Sequence, residues 1–137
     1  MKTKKKSKLG IKRGNPRSGY WRTRADKAWA MAVAERAGQR CELCGGTPVE
    51  IHHLISRRVS RYRHDLSNGL ALCAKCHRLD WQKSAHCSPV VFAQRVREKL
   101  PELWAWVQGA RRMMASGGIY RADYREACRK LSGERND

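Results

Sequence analysis

Two Cys-x-x-Cys pairs, Cys41/Cys44 and Cys73/Cys76, constrain this chain more than any other feature. At that spacing a tight knuckle presents two thiolates to one tetrahedral zinc, and two knuckles complete a closed four-sulfur site. A zinc enclosed in this way has no open position for water, so its role is structural. Any chemistry must come from what lies between and just after the knuckles: a histidine doublet, His52-His53, then Asn68, and His77 directly after the last cysteine. Six cysteines could also suggest the disulfide framework of a secreted chain. Four of them falling into two such pairs favours metal in a reducing compartment and leaves Cys87 and Cys128 as plain packing or surface thiols.

At 137 residues there is room for one domain and little more. The 30 Lys+Arg against 12 Asp+Glu give a formal charge of +18, a one-sidedness that ordinary surface solvation does not require. It points to a polyanion partner bound through counterion release, with salt-sensitive and mostly sequence-blind affinity. An acidic membrane surface is the rival reading. No apolar run reaches membrane length and no secretory h-region is visible, which suggests a soluble cytoplasmic protein.

Residues 1–22 form a basic arm that includes Lys4, Lys5 and Lys6 and contains no acid. Gly10, Gly14, Pro16 and Gly19 interrupt any helical period, so the arm is expected to be mobile and to lie along a phosphate backbone, unless it only solubilises the chain. The folded body is expected over residues 23–115 with its core at 38–85, followed by a helical tail over 116–137. A helix is predicted from Thr23, as N-cap, to Gly38, with Ala25, Ala28, Trp29, Ala32 and Val33 facing the core. Residues 49–55 read as a strand whose alternation points His53 one way and His52 the other. The loop that follows carries Arg57, Arg58, Arg61 and Arg63, placed to clamp phosphate.

Asp65 to Gly69 has turn chemistry, Leu70 to Leu72 suits a second strand, and a helix is expected from the second knuckle to about Lys83. Beyond it, a helix from Pro89 to Lys99 would face inward through Val90, Val91, Ala93 and Val96. Another, after Pro101 and running to about Ala115, would use Leu103, Trp104, Trp106, Val107 and Ala110. Trp104 and Trp106 stand two apart and cannot share one face. A last, weaker helix spans Tyr120 to Leu131. Residues 86–137 read as a cover that reveals no function.

The order His-His, Asn, His set between two zinc knuckles resembles the HNH endonucleases, in particular small phage and bacterial members with a four-cysteine zinc site and a His-His doublet. The resemblance covers roughly residues 38–85. It implies an α+β fold with a ββα-metal core and the hydrolysis of nucleic acid phosphodiesters, with double-stranded DNA as the partner. It also implies roles: His52 and His77 as ligands of a catalytic divalent metal, His53 as general base, and Asn68 as the residue that fixes the loop and orients His53. The four cysteines would hold the structural zinc, and magnesium, manganese or nickel would serve the catalytic position.

This chain departs from the pattern in two places. Many members carry aspartate-histidine where His52-His53 stands, and some add a histidine one helical turn after the last one, where this chain has Trp81. Two protein ligands would then leave the catalytic metal weakly held. His64 and His86 fall outside the pattern and are expected to be non-catalytic, with His64 near enough to the arginines to touch a phosphate. The resemblance further implies that a monomer nicks, that double-strand cleavage needs two copies, and that a homodimer or a phage packaging partner is conceivable in a bacterial or phage-infected cell. The competing readings are a non-catalytic zinc-knuckle nucleic-acid-binding module, in which His52 merely packs and His77 substitutes at the zinc, and a nuclease directed at RNA.

Overall fold

The centre of the fold is a hairpin of two five-residue strands, β1 (Val49–His53) and β2 (Gly69–Cys73), in a computed structural model that describes residues 14–118 and 120–133. Lys4, Lys5 and Lys6 of the arm lie outside the described residues. The strands run antiparallel, with Val49 opposite Cys73, His52 opposite Leu70 and His53 opposite Gly69. This register places a zinc knuckle at one end of the hairpin and the histidine doublet at the other.

All five residues of β2 are buried, because helices cover both faces of so small a sheet. On one side lies α1 (Gly19–Arg36), with Ala25, Trp29 and Val33 buried along its inner face. It starts four residues ahead of the expected Thr23, since Ser18 is the first residue to leave helical geometry. Its approach to β2 is so close that a Cβ on Gly69 would stand 2.4 Å from Val33 Cγ2 and 2.8 Å from Trp29 Cζ2. Arg36 ties the end of α1 to the hairpin, donating to the Leu66 and Gly69 carbonyls at 2.7 Å each and to the Glu42 carboxylate.

On the other side lie α2 (Pro89–Lys99) and α3 (Pro101–Ala115). Phe92 and Val96 of α2 are buried with Leu43, Leu70 and Leu72, whereas Val90 is 81% and Val91 43% exposed. Of the expected inward set, Val96 is buried, Val90 and Val91 face outward, and Phe92, not among those expected, takes a core position. Phe92, Val96 and Leu100 follow the i, i+4, i+8 spacing, and the one large ring on the helix takes the buried position ahead of the smaller valines. Trp104 packs on this cluster and Trp106 on a second one formed by Ile55, Tyr62, Val107 and Ala110, so the two indoles serve different parts of the core.

The chain after the second knuckle makes only a short π turn, Lys75–Leu79, and not a helix to Lys83. Asp80 stops it by turning the backbone: its carbonyl accepts from Ser84 N and its carboxylate from Gln82 N, both at 2.9 Å. Finally, α4 (Tyr124–Ser132), capped by Asp123 and closed by Gly133 at φ 69°, packs along α1. Its first amides, from Tyr124 and Arg125, donate to the Pro16 carbonyl. No helix among the described residues is long and apolar enough to cross a membrane.

Candidate metal centres

The sulfur site is assembled by local backbone geometry. Gly45 takes φ 77°, a left-handed conformation that costs glycine little, and its amide donates to the Cys41 carbonyl at 2.8 Å while Cys41 N donates to Gly46 O at 2.9 Å. Gly46 leaves room where a Cβ would meet Cys44 Sγ and Cys73 Cβ at 3.4 Å. All four sulfurs lie within 4.8 Å of one another, and Cys44 and Cys73 are 3.5 Å apart as free thiols. A tetrahedron with Zn–S bonds of about 2.3 Å has edges of about 3.8 Å, so the donors and their spacing fit zinc. Burial pushes the Cys76 thiol up to about 12, although Arg95 hydrogen-bonds its sulfur, so a cation is needed to draw out four thiolates.

A second cluster, of nitrogens, forms over one face of β1. Glu50 and His52 share that face, two residues apart, and the π turn lays His77 across it. His77 Nδ1 meets the Glu50 carboxylate at 2.5 Å, and Arg78 holds the same carboxylate at 2.9–3.1 Å. These bonds, from Arg78 first and His77 second, bring the Glu50 carboxyl down to about 2. Because a carboxylate only accepts, His77 Nδ1 carries the proton and Nε2 keeps its lone pair for a metal.

His86 completes the cluster. Its amide donates to the His77 carbonyl at 3.0 Å, so the chain returns to its starting point nine residues on, and the imidazoles of His52, His77 and His86 each offer a nitrogen within 4.8 Å of the others. His86, expected to be non-catalytic, thus stands as a candidate third ligand. Burial, with His77 and His86 alongside, lowers His52 to about 4, so it is neutral and able to donate a lone pair at pH 7. Three imidazoles, two partly buried and one exposed, offer a donor set that fits a borderline divalent ion.

His53 points to the opposite face of β1, as alternation predicts. Its ring stacks on Trp29, with centroids 4.0 Å apart and planes at 14°, and its Nε2 lies 2.9 Å from the Arg63 carbonyl. A carbonyl cannot donate, so Nε2 carries the proton and Nδ1 is the free base. Burial lowers the His53 pKa below the ordinary value, partly offset by that carbonyl, which leaves the ring unprotonated at neutral pH.

The carbonyl that orients His53 is itself fixed. Arg63 makes a paired bond to the Asp26 carboxylate, 2.8 Å from Nε and 2.8 Å from Nη2, and His64 Nε2 donates to Asp26 at 2.6 Å. Burial raises the Asp26 carboxyl, but the bonds from Arg63 and His64 outweigh it and hold the group far below the usual carboxylate range. Asn68, fully buried, staples the same loop: its Oδ1 accepts from Ile55 N at 2.6 Å and its Nδ2 donates to the Ile55 and Tyr62 carbonyls at 3.0 Å. Asn68 therefore reaches His53 through the loop and does not touch the ring.

Two expectations for the loop need correction. Arg63 is an internal strut spent on Asp26, and His64, its side chain 7% exposed, turns to the same carboxylate. Arg57, Arg58 and Arg61 remain exposed on the loop.

A two-stranded antiparallel hairpin followed by a helical turn, stapled by four cysteines and carrying imidazoles, defines a ββα-metal core. The family model of the HNH endonucleases matches residues 41–80, the segment that holds the four cysteines, both strands, Asn68 and His77. No curated protein and no solved structure matches the chain.

Proposed function

We propose that the protein is a metal-dependent endonuclease hydrolysing phosphodiester bonds of double-stranded DNA. The observation that carries this reading is the three-imidazole cluster that His52 forms with His77 and His86, beside His53, which is next in sequence, on the opposite face of β1, and in a tautomer that leaves Nδ1 unprotonated. His52, His77 and His86 would hold a divalent ion, magnesium, manganese or nickel. Such an ion, when bound, stabilises charge on the phosphoryl oxygens and eases departure of the leaving oxygen.

The protein's own residues supply the rest. His53 Nδ1 takes a proton from the attacking water as the new P–O bond forms, while the bond to the 3′ oxygen breaks to leave 5′-phosphate and 3′-hydroxyl ends. The Trp29 stack and the Arg63 carbonyl prevent the imidazole from rotating away from that water. Asn68 holds the loop that carries the carbonyl. Arg57, Arg58 and Arg61, with the basic arm, contact flanking phosphates, and the +18 charge draws the chain to a polyanion. Three nitrogen donors would hold such an ion more firmly than the two that the sequence pattern alone implies.

The test is supercoiled plasmid incubated with magnesium, manganese or nickel, with and without chelator. The wild type nicks it, and His53→Ala abolishes nicking while DNA retention persists. Binding without cleavage in every metal would instead make the chain a zinc-knuckle binding module.

A further inference from the structure

The segment joining His77 to His86 is a closed loop with a pinned backbone. Ala85 N donates to Cys76 O at 2.9 Å and His86 N to His77 O at 3.0 Å, which shuts its neck, and the fully buried Ser84 fills it. Within the loop, Ser88 Oγ donates to the Trp81 carbonyl at 2.6 Å and Arg95 Nη1 to the Lys83 carbonyl at 3.2 Å. Asp80 supplies the two turn bonds already described.

Against this fixed backbone the side chains point outward. Leu79 is 59% and Trp81 74% exposed. Tryptophan is highly buried on average, and an exposed apolar pair on a held loop marks a contact surface. Lys75 and Lys83 are exposed in the same stretch, and the chain carries +18, so the surface complements a polyanion. An exposed indole with lysines two and six positions away in sequence can take a base together with its phosphate, because every base offers a π face.

We propose that the Leu79–Trp81 tip is a base-stacking wedge, with the indole stacked on a nucleobase that is unpaired or unstacked beside the phosphate at the histidine cluster. The placement beside that phosphate rests on the endonuclease reading, since both ends of the loop are its candidate metal ligands; the stacking itself does not. Distorted or partly unpaired DNA is then the preferred substrate class.

The test is binding, measured without added divalent ion by fluorescence anisotropy, of a labelled duplex with a central unpaired patch. Trp81→Ala should weaken binding about tenfold, within the range for one stacked base, and Trp81→Phe should recover most of the loss. The dependence of affinity on salt should keep its slope, because no ionic contact is removed. A 2-aminopurine in the unpaired patch should be quenched by the wild type and stay bright with Trp81→Ala. Zinc content is measured in each variant to show an intact fold. Affinity of Trp81→Ala within twofold of the wild type, persistent quenching, or a fall in the salt slope would overturn the proposal and leave the indole to a protein partner or to the loop's own packing. Failure of the endonuclease reading looks different: the wild type leaves plasmid uncut in all metals, while the binding and quenching results stand unaffected.

Discussion

The sulfur cluster and the imidazole cluster share one hairpin and differ in almost every physical respect. Three of the four sulfurs are buried, and cations from α2 attend them: Arg95 on Cys76 Sγ, and Lys99 Nζ on the Leu43 carbonyl at 2.6 Å. Backbone hydrogen bonds hold the turn of the first knuckle, and Cys44 alone of the four is exposed. The imidazoles, by contrast, come from a strand, a π turn and a returning loop, and His86 is exposed. One site is closed and built locally, and the other is open and built from separate elements. A closed four-sulfur site suits a structural ion, and only an open site can admit water and a phosphate.

Breaking the closed site should have the largest effect. Structural zinc in small domains contributes about 10–16 kcal/mol of folding free energy, comparable to or larger than a domain's whole stability of about 5–15 kcal/mol. Cys73→Ser should therefore be unfolded at 25 °C by circular dichroism and carry less than one zinc by elemental analysis. A folded, zinc-loaded Cys73→Ser would show that the division between sulfur and nitrogen is wrong.

An intermediate effect comes from the wall between α1 and the hairpin. Gly69→Ala drives a methyl into Val33 and Trp29 and should cost about 1–3 kcal/mol, read as a lower midpoint in thermal denaturation. Trp29 also stacks on His53, so nicking should slow while zinc content holds at one per chain. Loss of zinc in this variant would mean the two sites are not separable.

The smallest effect should come from Asp26→Asn, which frees Arg63 and so loosens the carbonyl on His53. Turnover should fall about tenfold, equivalent to about 1.4 kcal/mol in the barrier, with little change in KM or zinc content. Its stability cost should be under about 1 kcal/mol, since the carboxylate is about a third exposed and solvent screens the pair. The sign with pH follows from a depressed carboxyl: the contribution is present above the ordinary value of 3.8 and is lost as pH falls through the lower folded value. The wild type should thus lose stability more steeply than Asp26→Asn below about pH 4, followed by circular dichroism. Parallel acid limbs would remove Asp26 from the His53 support.

How much of this could be read from the sequence depends on the range of the interaction. Cys-x-x-Cys is a local geometry, so all four sulfurs were legible, and alternation along β1 was enough to send His52 and His53 to opposite faces. His86 was not legible. Its place depends on amides of residues 85 and 86 returning to carbonyls of 76 and 77, and the one hint is the turn chemistry of Asp80, which falls inside the stretch expected to be helical up to about Lys83. Arg63 looked like its three neighbours because the residue that captures it, Asp26, stands 37 positions earlier. On α2 Val96 is buried as expected, but Val90 and Val91 give way to Phe92, which is in phase with Val96, a choice made by shape and area against the hairpin and not by apolar count.

The central claim is that one ion is held by sulfur and a second, exchangeable one by nitrogen. It is tested most directly by titrating nickel into chelator-washed protein by calorimetry, with zinc counted by elemental analysis throughout. The expected result is one zinc retained per chain and one further nickel site, weakened by His86→Ala and abolished by His52→Ala, with zinc unchanged in both variants. No second site in the wild type, or zinc lost when His52 is replaced, would contradict it.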